Sequence, residues 1–246
     1  MSWFLFLWPP VAFLLVLVGG SLYAARFEKK AGESVSETIS GRVQAWFPIL
    51  LALALCVVGA SLVIMGALYG WTDLSLASRH WQRDTALGIC IGALIACLYF
   101  TVLSPALTWA QARLGDYVPP GSVLETLEGQ LPYFFIANIL LAPLVEELWF
   151  RGALYSALSP LGPGLSILLT SIAFGLFHWP GGAWYMLLTG GLLGSVLGWL
   201  RLEQAGLLAP YAAHLTLNII EFYVLARRNR KAKRTTFLKY SKESLK

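Results

Sequence analysis

Long apolar runs separated by short polar breaks set the pattern of this chain. They extend from about Trp3 to Ala25, Val43 to Trp71, Thr85 to Trp109, Leu131 to Leu158, Leu165 to Trp179, Ala183 to Leu200 and Leu207 to Leu225. A helix that crosses the hydrocarbon core needs about 20 apolar residues. The pattern therefore predicts an all-α, polytopic transmembrane helix bundle of seven spans, with length enough for an eighth. A cleaved signal peptide is the competing reading of the first run. No Lys or Arg precedes that run and it is long, so it reads as a retained helix. The fifth run is the exception in length. From Leu165 it reaches His178-Trp179 and stops at Pro180-Gly181-Gly182, about 14 residues, short for a full crossing. Its end is expected at membrane depth, where irregular backbone is tolerated only inside protein or beside a wet cavity.

The breaks divide the chain. Arg26–Arg42 reads as a polar loop of mixed charge and Asp73–Asp84 as a shorter one, and Trp46 and Trp71 sit like interfacial anchors at the ends of span two. Between spans three and four, Pro119-Pro120-Gly121 precedes Ser122-Val123-Leu124-Glu125, a capping box that would open a short amphipathic helix at the membrane surface. In span four, Pro143 lies three residues before Glu146 and is expected to kink the helix just ahead of it. In span six, Gly190, Gly194 and Gly198 form a small-residue ridge suited to close helix contact. The division this gives is N-terminal scaffold helices (1–110), an amphipathic connection (111–130), a helical core (131–226) and a basic tail (227–246).

Composition sharpens the class. Hydrophobic residues make up 57% of the chain and charged residues 13%, against about 25% charge in soluble domains. The mean hydropathy is +0.67. No sizeable extramembrane domain fits. The net charge of +5 comes largely from the tail, which carries Arg227, Arg228, Arg230, Lys231, Lys233, Arg234, Lys239, Lys242 and Lys246. Directly after an apolar helix, such a tail is a topology signal and a contact for anionic lipid, not a nucleic-acid module. With seven spans it shares a side with the Arg26–Arg42 loop. The positive-inside rule places both in the cytoplasm and Met1 outside. Cys56, Cys90 and Cys97 fall in apolar runs with no metal or disulfide spacing.

The ionisable groups inside the apolar runs read as confined to spans four, five and seven. Glu146-Glu147-Leu148-Trp149-Phe150-Arg151 lies within span four, where each charge costs about 2.5–3.5 kcal/mol on insertion scales. Glu147 and Arg151 are four apart, so on a helix they share a face and can pair. Glu146 is turned away from Glu147 by about 100° and is left to look elsewhere. His178 ends span five with Phe174 one turn before it. His214 and Asn218 share a face of span seven, and Glu221 continues that stripe toward Arg227 and Arg228, with which it is expected to pair. Phe174 reads as packing. Trp149 and Phe150 are expected to face lipid or a neighbouring helix. Two chemistries suit the set. Glu146 with His178 could deprotonate water, with His214 and Asn218 donating to an oxyanion. Alternatively, Glu146, His178 and His214 could ligate zinc and leave a position for water. No His-Glu-x-x-His motif is present. Two non-hydrolytic readings use the same residues. One is a non-catalytic immunity or scaffold protein held together by polar contacts. The other is a proton-coupled transporter, against which the lack of an inverted repeat counts.

Glu146-Glu147-x-x-x-Arg151, Phe174-x-x-x-His178 and His214-x-x-x-Asn218, in that order, resemble the three motifs of the CAAX protease and bacteriocin-processing family (CPBP, also called Abi). The resemblance covers about Leu131 to Tyr223. It implies an α-helical intramembrane endopeptidase with its catalytic core in the C-terminal four helices, acting on a membrane-associated protein or peptide. In that reading Glu146 and His178 activate water, His214 and Asn218 stabilise the oxyanion, and Glu147 and Arg151 support them. The family includes both metalloprotease and metal-free glutamate descriptions. An Asn in the set favours the metal-free form, with no cofactor, and zinc on Glu146, His178 and His214 as the alternative. The short chain without large loops resembles prokaryotic members in the cell (inner) membrane. Those include peptide and leader processors, immunity proteins and myxosortase-like sorting-signal proteases.

Overall fold

The computed structural model describes residues 4–27, 35–69, 78–106, 108–109, 131–178 and 183–243. Among them the chain is helical, with no strand. Seven helical stretches follow one another: α1 (Phe4–Phe27), α2 (Val35–Tyr69), α3 (Trp81–Ala106), α4 (131–158), α5 (Pro163–Phe177), α6 (Ala183–Gln204) and α7 (Leu208–Glu243). The connection at 111–130, with its expected capping box, lies outside the described residues.

Four of the described helices are long and apolar enough to cross a membrane by length and composition: Phe47–Leu68 of α2, α3, Pro132–Leu161 and α6. Trp8–Gly20 of α1 and the whole of α5 are shorter apolar helices. The first 18 residues of α7 include His214, Asn218 and Glu221, the same polar groups that give it chemistry and lower its hydropathy. Apolar side chains line the outside of the bundle, among them Leu14, Leu53, Ile64, Leu94, Leu168 and Ile172. Such a surface marks contact with a membrane or with another protein.

Two helix boundaries depart from the hydropathy pattern. α2 begins at Val35, inside the stretch expected to be a loop, and α3 begins at Trp81, with Asp84 in its first turn. Polarity marks where a helix leaves hydrocarbon, not where it ends. Asp84 is buried and accepts a hydrogen bond from the Ser78 hydroxyl. α7 likewise runs on without a break from the last apolar span into the basic segment, to Glu243.

Glycine permits the closest helix contacts. On α3, a Cβ at Gly88 would sit 2.5 Å from the Ala209 carbonyl oxygen, and one at Gly92 would sit 2.3 Å from that of Ala213. These positions let α3 and α7 touch backbone to backbone. The expected ridge on α6 does the same against α5: Gly190 packs on Ser171 and Gly175, Gly194 on Ser171, and Gly198 on Ile167. Between helices in lipid the hydrophobic effect gives no drive, so such close packing is a main source of association. The core draws on all seven helices, with Leu55, Leu62, Ala96, Val145, Phe150, Phe174, Leu197 and Leu217 among its buried residues.

α4 is not a uniform α-helix. Two stretches widen to π turns, Phe135–Leu141 and Glu147–Leu154, separated by an α segment, Ala142–Glu146. Pro143 sits at the start of that segment. A proline cannot donate to the preceding turn and clashes with its carbonyl. The π turns just before it widen the helix at that place, so the expected disturbance ahead of Glu146 takes the form of a register change.

Candidate active site

The second π stretch carries the charged motif into the bundle. Glu146, Glu147 and Arg151 are all buried. Arg151 Nη1 lies 3.1 Å from Glu147 Oε1, the pairing their spacing predicts. Arg151 Nη2 donates to the Gly194 carbonyl on α6 at 3.0 Å, and the guanidinium lies 4.3 Å over the Phe174 ring. Phe174 is thus packing, as expected, but packing of a particular kind. It is fully buried and touches the guanidinium, the His178 ring and the His214 ring. Trp149 and Phe150 are buried against Phe177 and do not face lipid.

The two histidines converge on Glu146. His178 caps the end of α5, and its Nε2 stands 3.9 Å from Glu146 Oε2. His214 Nε2 stands 3.8 Å from the same oxygen. Glu146 Oε2 itself is buried with no hydrogen-bond partner. The other nitrogen of each ring fixes its tautomer. His178 Nδ1 is 2.8 Å from the Phe174 carbonyl, which can only accept, so Nδ1 carries the proton. His214 Nδ1 is 2.9 Å from Glu147 Oε1, the oxygen already paired with Arg151, so it also donates. In the neutral rings both Nε2 atoms are then lone pairs aimed toward an unsatisfied carboxylate oxygen. A polar separation just beyond hydrogen-bond length between acceptors is the setting for a bridging water.

Asn218 enters differently. Its Nδ2 donates to the Asn138 carbonyl at 3.3 Å, within the first π stretch of α4. That contact leaves the second amide hydrogen for another acceptor. Glu221 does not pair with Arg227 or Arg228 among the described residues. Two helical turns separate Glu221 from Arg228, about 10.5 Å of rise, and Arg228 lies over Phe100 instead.

Sequence reasoning missed three participants. Arg201 on α6 is buried and donates from Nε to the Arg151 carbonyl at 3.1 Å. Buried ionisable groups are therefore not confined to spans four, five and seven. Near the end of an apolar run, Arg201 looks in sequence like an interfacial cation. Asn138 acts through its backbone, which no side-chain pattern reveals. Tyr185 meets the His178 ring edge to face at 5.8 Å. It lies seven residues after His178 beyond the Pro-Gly-Gly break, a separation that only the folded chain closes.

Among the described residues, no group of three His, Cys, Asp or Glu side chains is placed to hold a metal ion.

The described residues form a helical bundle with four helices apolar enough to cross a membrane, in which buried Glu146 and His214 meet half-buried His178. Residues 128–220 match the family model described as Rce1-like, type II CAAX prenyl endopeptidase, a stretch that contains all three motifs. That family is a protease family. No curated protein and no solved structure matches the chain.

Proposed function

We propose that this protein is an intramembrane endopeptidase that hydrolyses a peptide bond of a membrane-associated protein or peptide. The observation that carries the reading is the orphaned Glu146 Oε2, faced by His178 Nε2 and His214 Nε2 at 3.9 and 3.8 Å. A water between such acceptors donates both hydrogens and keeps its own lone pair for attack. As its oxygen bonds to the scissile carbonyl carbon, one O–H bond breaks and the proton passes to Glu146, assisted by His178. The oxyanion that forms needs donors. Asn218 offers its second amide hydrogen. His214 offers Nε2–H when its ring has taken a second proton from solvent before the attack, and it returns none of it during the reaction. Glu146 then returns the proton to the leaving nitrogen as the C–N bond breaks. Asn218 suits an oxyanion donor better than a zinc ligand, which favours the metal-free, glutamate form.

The C-terminus lies in the cytoplasm of a prokaryotic cell membrane, supported by the basic tail and the positive-inside rule. The matched family is described by prenyl substrates, so a farnesylated C-terminal CAAX peptide is one probe. The short, loop-poor chain favours a leader peptide or sorting signal. Crosslinking in cells with a Glu146→Ala variant, followed by mass spectrometry, identifies the substrate. A peptide spanning its cut site then serves for kinetics. Purified wild type should cleave that peptide after exhaustive chelation and dialysis. Zinc lost and restored in step with activity would overturn the metal-free mechanism. Absence of any captured partner or cleavage product would favour the non-catalytic immunity or scaffold reading.

A further inference from the structure

Arg201 stands outside all three motifs, yet it meets the active-site helix where its geometry changes. The π stretch of α4 ends at Leu154 and α turns resume at Tyr155. At that junction the Tyr155 N–H is directed to the Phe150 and Gly152 carbonyls and steps past that of Arg151. Arg201 Nε–H donates to the Arg151 carbonyl at 3.1 Å, from a residue fifty positions away. The rest of the guanidinium lies over the Tyr155 ring at 5.4 Å, on the first α residue after the change.

The tie is reciprocal. Arg151 sends its side chain to the α6 backbone at Gly194, and α6 sends Arg201 back to the backbone of Arg151. Turning the π stretch about its axis would break both bonds. The consequences run into the site through a chain of direct contacts. Arg151 pairs with Glu147, Glu147 holds His214 Nδ1, and His214 Nε2 faces Glu146.

We infer that Arg201 is a positioning residue for the reaction: it locks the π-to-α register of α4 and thereby sets Glu147 and His214 against Glu146. It touches no reacting atom, and the inference rests on the protease reading only for its kinetic readout.

The test uses full-length protein in detergent micelles with Arg201→Gln and Arg201→Lys. The first readout needs no substrate: the His214 Nδ1 proton resonance in protein carrying isotope-labelled histidine. The second is kcat and KM on the peptide spanning the cut site of the captured substrate. Arg201→Gln should shift or broaden the His214 resonance and lower kcat by about 10²-fold, the scale of a small misplacement of catalytic groups, while KM stays within about twofold. Arg201→Lys keeps the charge and a donor but not the planar guanidinium over Tyr155, and should recover part, not all, of both. An Arg201→Gln protein that melts earlier but keeps the wild-type His214 resonance and kcat would overturn the inference and leave a structural tie. If Arg201→Gln does not fold, Arg201→Lys decides: a reduced kcat with unchanged KM supports the role, and wild-type kcat with a wild-type resonance overturns it. If the wild type cleaves nothing, the protease reading fails, and the His214 resonance alone judges whether Arg201 positions the cluster.

Discussion

Arg151→Ala removes more than one interaction. The guanidinium is fully buried and makes a 3.1 Å pair with Glu147, a 3.0 Å bond to the Gly194 carbonyl and a 4.3 Å stack on Phe174. Breaking a buried pair by deleting one partner costs about 3–5 kcal/mol, because a charge is left uncompensated. A hydrogen bond from a charged donor is worth about 1.5–3 kcal/mol, and a desolvated cation–π contact about 2 kcal/mol. These terms share one side chain and do not add. The His214 Nδ1–H bond to Glu147 persists and offsets part of the loss. The expected destabilisation is therefore about 4 kcal/mol, within the range for a broken buried pair. Unfolding in mixed micelles of mild detergent and dodecyl sulfate measures it. The double variant Glu147→Leu, Arg151→Met removes both charges and keeps the volume, and should be more stable than Arg151→Ala alone. Glu146→Gln is the control. Glu146 Oε2 has no hydrogen-bond partner to lose, so its stability should stay within about 1 kcal/mol of wild type. A loss below about 1 kcal/mol for Arg151→Ala, the range of exposed pairs, would refute the argument.

Further outcomes follow from the same geometry. Gly92→Val should sharply reduce folded yield, since a Cβ there meets the Ala213 carbonyl at 2.3 Å, whereas Gly191→Ala, with nothing within 4 Å, should express normally. Asn218→Ala should lower kcat by about 10²–10³, the usual loss for one oxyanion donor, with the fold retained. A reporter fused after Lys246 should be active only when it reads the cytoplasm, and activity only outside would reverse the topology.

What the sequence revealed was whatever depends on spacing along a regular helix. The Glu147–Arg151 pair, the convergence of Glu146, His178 and His214, and the glycine ridge of α6 are i, i+4 statements or clusters of residue types that are rare in apolar runs. Hidden from it was whatever depends on a change of helical register. No residue pattern announces the π turns of α4, and the bond from Arg201 to the Arg151 carbonyl, fifty residues apart, had no signal either. Asn138 was invisible because it serves through its backbone. Glu221 was misassigned because closeness to the basic end of the span was taken for contact: six or seven residues along one helix put Arg227 and Arg228 about 9–10.5 Å of rise away, and Arg228 lies over Phe100. The start of α2 at Val35 was missed because hydropathy reports the edge of the membrane, and helix can continue past it.

The most direct measurement is the cleavage rate of Glu146→Gln in proteoliposomes, on the peptide spanning the captured substrate's cut site. The substitution keeps the side chain's shape and removes the base. Folded Glu146→Gln protein should cleave at background rate while wild type under identical conditions cleaves measurably. Cleavage by Glu146→Gln at the wild-type rate would contradict the assignment of Glu146 as the group that activates water.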